Sequence, residues 1–270
     1  TPGDFDPAGH RQSYGRLDEV DRWTLDRLAR LIGRVRRAYD EYEFHTVFHS
    51  VHNFCAVDLS ALYLDIIKDR LYTSRADDPR RRAAQTTCYD VFSALARLMA
   101  PILTFTCEEA WRYLPGARAE SVHLERFPEA AREWLDETLK RDWDRLLEVR
   151  REVAKALETA RNGKLIGSGL EAAVRIMNAP EDLPELLRAK RALLSTLFIV
   201  SRVELERGGA VPSVTYEGQD IPGLVIGVDR ARGEKCERCW TRSEHVGENA
   251  AHPTLCERCV PVVVGRGSAG

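Results

Sequence analysis

Four of the seven cysteines fall in two matching pairs, Cys236-Glu-Arg-Cys239 and Cys256-Glu-Arg-Cys259. A two-residue gap lets both thiolates of a pair turn toward one ion, and two pairs complete a tetrahedron around Zn²⁺. The pairs are separated by roughly sixteen residues, within the range of zinc sites. A closed four-sulfur shell leaves no open position for a substrate, so one structural zinc is expected, holding a segment that has almost no core of its own. A redox role for either pair is the alternative, although matching pairs this close seldom act separately. His245 and His252 lie between the pairs and either could replace a cysteine or stand in a solvated loop.

Four thiolates on Zn²⁺ leave a net charge near −2. Lys235, Arg238, Arg242 and Arg258 flank the ligands and can offset that charge. The same cations could also face phosphate. Trp240 directly follows Cys239. A knuckle is too small to bury an indole fully, so Trp240 either packs on a neighbouring domain or stacks on a base.

Elsewhere the chemistry is thinner. His45, His49 and His52 step along one predicted helix and either line a ridge or are satisfied at a domain boundary. The run Arg80-Arg81-Arg82 opens a helix, a poor place for cations, and is expected to face solvent. Glu108-Glu109 is not an acid pair, because adjacent helical positions point apart. There is no nucleophile constellation and no phosphate-binding glycine loop.

The chain has 270 residues, is 44% hydrophobic and 30% charged, and has a formal net charge of −2. Those values fit a soluble globular protein of one large or a few small domains. The molecule is not a polycation, so nucleic-acid binding would depend on a local basic patch. No apolar run is long enough for a membrane span, and the first residues lack the basic and apolar regions of a signal peptide. The absence of an initiator methionine suggests a piece of a longer polypeptide. Cysteine usage points to a reducing, cytoplasmic setting.

The elements that must position these residues are mostly helical at first. Asp18 can cap a helix carrying Val20, Trp23, Leu28, Leu31, Val35 and Tyr39. A second helix begins near Glu43 and carries Phe44, Val47, Phe48, Val51, Phe54, Leu59, Leu62 and Ile66, with Lys68 and Arg70 near its end. Asp78-Pro79 starts a third, through Val91, Leu95 and Leu98, and Pro101 opens a fourth through Phe105 and Trp111 to Leu114. Short links between them predict a bundle. Ser121 to Leu124 reads as an extended piece. A long amphipathic helix is predicted from about Glu129 to Arg161, with Trp134, Trp143, Leu146, Val153 and Leu157 inward and Asn162-Gly163 as its stop. Strands are then expected at Ala172–Met177, Leu197–Leu205, Thr215–Tyr216 and Leu224–Val228, with a helix at Pro184–Leu194, in a small α+β unit. Gly208-Gly209 marks a turn and residues 265–270 a frayed tail.

Several stretches resemble one family. Tyr42 to Asp65, Lys68-Asp-Arg-Leu-Tyr72 and Met99 to Trp111 with Leu114-Pro115 closely resemble the anticodon-binding helical domain of bacterial isoleucyl-tRNA synthetases. Lys164 to Ala172 is similar to the junction segment of those enzymes. Lys235 to Trp240 and His252 to Cys256 are similar to their C-terminal zinc knuckle. The matches are collinear over nearly the whole chain. The helical stretches alone would also suit valyl or leucyl relatives, and the knuckle with its tryptophan favours isoleucyl.

The resemblance implies a mainly α fold with a smaller α+β region. It divides as a helical bundle at 1–118, a connecting helical region at 119–163, a junction domain at 164–233 and a four-cysteine zinc knuckle at 234–264. It further implies that the chain docks the anticodon stem-loop of isoleucine tRNA, with Trp240 as stacking platform, Arg238 and Arg242 as phosphate or base contacts, and Lys164 in a Gly-rich turn as a further contact. The family's His-Ile-Gly-His and Lys-Met-Ser-Lys-Ser motifs and its editing domain are absent here. The chain therefore resembles the C-terminal portion of such an enzyme. ATP-dependent formation of isoleucyl-tRNA would belong to a catalytic domain that this chain would partner. Related knuckles also occur in DNA glycosylases of the formamidopyrimidine type, which use an N-terminal proline followed by glutamate. Here Pro2 precedes Gly3, which leaves a zinc-dependent DNA-binding or repair role without its nucleophile.

Overall fold

A computed structural model describes residues 2–205 and 210–265. The expected turn at Gly208-Gly209 and nearly all of the expected tail lie outside the described residues. The chain forms two compact units, 1–140 and 141–270.

The first unit is all helical. After a short helix α1 (Pro7–His10), α2 runs Glu19–Asp40. Its 3.6-residue periodicity places Val20, Trp23, Leu28, Leu31 and Val35 in the core. Asp18 stands at its N-cap, but its carboxylate does not bond the helix. It accepts instead from Arg70 at 2.8 Å and Arg80 at 3.0 Å. Next comes α3 (Phe44–Asn53), a π-helical segment (Phe54–Tyr63) and α4 (Leu64–Thr73). Val47, Val51, Phe54, Leu59, Leu62 and Ile66 are buried as expected, whereas Phe44 and Phe48 are about half exposed. Phe44 meets Tyr39 of α2 edge-on at 6.0 Å, and Phe48 stacks on His52 at 5.8 Å, so each is covered on one side only.

Asp78 caps α5 (Pro79–Met99), accepting from the Arg80 N–H at 2.8 Å. Arg81 and Arg82 do not face solvent. They are 8% and 9% exposed, and both reach Asp4. Arg81 also donates to the Leu71 carbonyl. The arginine run thus pins the first residues of the chain to the bundle, which offsets its unfavourable place at a helix start. Pro101 does not open the next helix; α6 begins at Thr104 and ends at Arg112. Trp111 is buried, while Phe105 is 89% exposed.

Beyond α6, Val122–Leu124 is a 3-10 turn, not an extended piece. Glu108 stabilises it, accepting from the Ser121 hydroxyl and the Val122 N–H. The long helix α7 spans Glu137–Asn162, shorter at its start than the periodicity suggests. Asp136 terminates it there by accepting from the Leu139 N–H at 2.9 Å. Trp134 belongs to a separate 3-10 turn and is only half-buried.

The second unit holds all but the first turn of α7. Its sheet contains β1 (Ala172–Asn178), β2 (Arg202–Leu205), β3 (Val214–Glu217) and β4 (Val225–Arg230) in the order β2-β1-β4-β3. β1 and β2 are parallel; the other pairings are antiparallel. The crossover from β1 to β2 holds two helices, α8 (Leu183–Ala189) and α9 (Arg191–Phe198). The apolar run at 197–205 therefore splits. Leu197 and Phe198 close a helix, Ile199 takes a left-handed φ of 55°, and the strand starts only at Arg202. A short apolar run has no period of its own to separate helix from strand.

Glu152 on α7 is fully buried and holds the turn between β3 and β4. It accepts from the Gln219 N–H at 2.7 Å, the Tyr216 hydroxyl at 3.2 Å and Lys155 at 2.9 Å. The chain is thus mainly α with a smaller α+β region. No helix among the described residues is long and apolar enough to cross a membrane.

Candidate zinc knuckle and nucleic-acid interface

The four sulfurs converge. The Sγ atoms of Cys236, Cys239, Cys256 and Cys259 all lie within 4.8 Å of one another, and all four residues are buried. The first pair is carried by a hairpin of β5 (Glu234–Lys235) and β6 (Arg242–Ser243). Its tip is closed by Trp240 N–H to Cys236 carbonyl and Cys236 N–H to Thr241 carbonyl, both 2.9 Å. Gly233 leads into the hairpin at φ 81°, where a Cβ would come within 2.2 Å of the Ser243 backbone, so only glycine fits. The second pair sits at the start of α10 (Val260–Val264), with Cys259 at the N-cap. The Glu237 N–H to Thr254 carbonyl bond, 3.1 Å, ties the two halves together.

These residues suit a zinc ion. Burial would push the Cys236 thiol up, but N–H donors from Cys239, Cys256 and Arg238 outweigh it and bring it down to about 6. The Cys256 N–H reaches the Cys236 sulfur at 3.4 Å, and Arg238 reaches the Cys259 sulfur at 3.8 Å. The Thr241 hydroxyl lies 2.9 Å from the Cys239 sulfur, a contact that spacing alone does not reveal. Among the described residues, only the partly exposed hydrophobics Val246 and Leu255 pack against the cluster. That is too little apolar surface to fold the segment, so metal ligation must supply the cohesion. Bound zinc here is structural. Neither histidine joins the sulfurs; His245 pairs with Glu248 at 2.9 Å, and the His252 N–H bonds the Asn249 side chain.

Trp240 is 61% exposed, held at φ 66° by the hairpin tip. Lys235 lies over one face of its ring, 5.4 Å from the centroid, leaving the indole presented and not packed away. Arg242 is more enclosed. Its side chain is 15% exposed, and its guanidinium bonds the Ala231 carbonyl at 3.1 Å. Its backbone N–H bonds the Ser201 hydroxyl, fastening β6 to the end of the α9–β2 link. Lys164 lies on a different element: it comes just after the end of α7, exposed, at φ 57°. The structure therefore brings Arg238, Trp240 and Arg242 together at the knuckle, with Lys164 on another element. In the first unit, His45, His49 and His52 are all exposed, and His52 stacks on Phe48 at 5.8 Å.

Comparisons with known proteins agree with this arrangement. Residues 21–176 match the family described as the anticodon-binding domain of tRNA ligase. Residues 233–262 match the zinc finger found in FPG and IleRS. Among curated proteins, the chain is 53% identical over 262 residues to the isoleucine–tRNA ligase of Desulfitobacterium hafniense. It is 50% identical over 263 residues to that of Moorella thermoacetica and 50% over 260 residues to that of Geobacter sulfurreducens. Each match covers 96% of this chain and 28% of the relative, so the chain spans little more than a quarter of their length.

Proposed function

The chain belongs to the family of anticodon-binding domains of tRNA ligases, and on that basis we propose that it docks the anticodon stem-loop of isoleucine tRNA. The observation that carries this reading is the knuckle's geometry beside the helical match: the zinc ligands are buried while Trp240 is held out at 61% exposure. A rigid exposed indole with one face under a lysine leaves the other face open for an unpaired base. Lys164, exposed in its turn, supplies a phosphate contact. Arg238 and Arg242 are tethered to the Cys259 sulfur and the Ala231 carbonyl, so they act mainly by setting a positive field at the knuckle.

Joining isoleucine to tRNA with ATP requires a nucleotide-binding fold. We assign that chemistry to a catalytic domain of the same enzyme, with this chain as its grip on the RNA. The test is a fluorescence titration of the zinc-loaded protein with isoleucine tRNA and with the same tRNA altered only in the anticodon, at two salt concentrations. Preference for the native anticodon, with affinity falling as salt rises, is the expected result. Preference for duplex DNA over either tRNA would overturn the reading in favour of a DNA-directed role.

A further inference from the structure

Arg242 lies three residues beyond Cys239 and pairs with Lys235 across the hairpin. It reaches out of the knuckle at two points. Its backbone N–H donates to the Ser201 hydroxyl at 2.8 Å, and its guanidinium donates to the Ala231 carbonyl at 3.1 Å. Both acceptors pass the contact on to one place. The Ser201 hydroxyl donates to the Leu170 carbonyl, and the Ala231 N–H donates to the Glu171 carbonyl at 2.7 Å. Two separate relays thus run from one knuckle residue to adjacent carbonyls, at the end of the turn that joins α7 to β1. A further link between knuckle and sheet, Arg202 to Glu244 at 4.0 Å, is solvent-exposed on both sides and adds little.

The turn itself, residues 163–171, has few other anchors. Ile166 is its one buried side chain. Lys164 stands at φ 57°, and the Gly167 N–H is held by the Glu171 carboxylate at 3.0 Å. Fixing Glu171 therefore fixes the chain back to Gly167, three residues from Lys164. Gly169 passes so close to the Ile199 carbonyl that a Cβ would come within 2.7 Å of it. On the other side of the relay, the hairpin that carries Arg242 has only two residue pairs. A ladder that short does not stand alone in water, so the metal is what keeps Arg242 in register.

We propose that Arg242 is a positioning residue through which bound zinc orders the turn of residues 163–171. One ion then sets two surfaces, the hairpin that presents Trp240 and the turn that presents Lys164. Without the ion the hairpin opens, the Ser201 hydroxyl loses its donor and the Ala231 carbonyl loses its guanidinium. Coupling of this kind is reciprocal. A variant that keeps the turn loose must bind zinc more weakly, by up to the factor with which zinc tightens the turn. The inference goes beyond tRNA docking and requires no RNA to be bound.

The experiment is hydrogen exchange on the full chain, zinc-loaded and chelator-treated, with Arg242→Met, Ser201→Ala and Glu171→Ala variants. Zinc content and circular dichroism check loading and fold. In the wild type, chelation should speed exchange in residues 163–171 about tenfold, the worth of one or two hydrogen bonds, while α7 keeps its protection. Arg242→Met and Ser201→Ala, each still carrying one zinc per chain, should exchange in the turn several-fold faster than wild type and respond less to chelation. Glu171→Ala frees the Gly167 N–H without removing a zinc ligand, and should weaken zinc binding about fivefold in a competition titration. Exchange in the turn that ignores zinc would overturn the relay, as would variants whose turn answers chelation just as wild type does. Loss of protection throughout α7 and the sheet on chelation would overturn it too, because zinc would then hold the whole unit and not this turn. Unchanged zinc affinity in Glu171→Ala would break the reciprocity and have the same consequence. RNA is absent from every measurement, so a failure here leaves the docking reading standing, and a failed tRNA titration leaves the relay standing.

Discussion

Replacing Arg70 by methionine should destabilise the helical unit by about 3–5 kcal/mol, the usual cost of stranding a buried ion. Arg70 on α4 has a side chain only 5% exposed and holds Asp21, itself 0% exposed, through two bonds of 2.8 Å. It also reaches Asp18 at 2.8 Å, while the Tyr63 hydroxyl donates to Asp21 at 2.8 Å. Methionine keeps the volume but leaves the Asp21 carboxylate in the core with the tyrosine as its remaining partner among these groups. Asp18 is less affected, because it is 30% exposed and retains Arg80. A unit of this size typically has about 5–15 kcal/mol in reserve, so the variant folds but melts early. Urea unfolding monitored by circular dichroism at 222 nm should show the helical transition shifted down by about 2 M. The combined variant Arg70→Met, Asp21→Leu, Tyr63→Phe removes the buried ion pair and the hydroxyl that donates to it together. It should recover to within about 2 kcal/mol of wild type, because apolar replacement of a whole buried cluster is nearly neutral. A loss below about 1 kcal/mol for the single variant, or a triple variant as weak as the single, would refute the argument that Asp21 depends on Arg70.

Removing zinc with a chelator should release amide protection from about residue 233 to 264 while the helices of the first unit stay protected, as hydrogen exchange can resolve. Gly233→Ala should weaken zinc binding at least tenfold in a competition titration, since the added methyl meets the Ser243 backbone. Trp240→Ala should lower affinity for the isoleucine anticodon stem-loop about ten- to a hundredfold without releasing zinc, the worth of one stacked base. Burial pushes Asp90 up from 3.8 to about 6, against the pull of Arg11. Its folded form therefore binds the proton more tightly than the unfolded chain, so its contribution to stability falls as pH rises from about 4 to 6, by up to about 3 kcal/mol. Asp90→Asn should remove that decline, as measured by thermal melts across the window.

The zinc ligands were legible because their constraint is local: four thiols at fixed spacing need no tertiary information. The stripes of α2 and α5 were legible for a similar reason, since one buried face imposes one period. The failures have physical causes too. Phe44, Phe48 and Phe105 are apolar yet exposed, and apolarity alone does not say which side of a helix is covered. Arg81 and Arg82 were misplaced because their partner, Asp4, lies more than seventy residues away in sequence.

The π-helical segment constrains how this protein can vary. Substitutions within Phe54–Tyr63 leave the chain length, and hence the phase of α4, untouched. Gaining a further residue there, where the turns are already wide, would rotate the downstream helix by roughly 100°. Ile66, Ile67 and Arg70, now aimed inward, would swing away from the bundle together. Changes of residue type can therefore accumulate in this stretch far more readily than changes in its length. Insertions and deletions among relatives should fall in the links between helices and spare this segment.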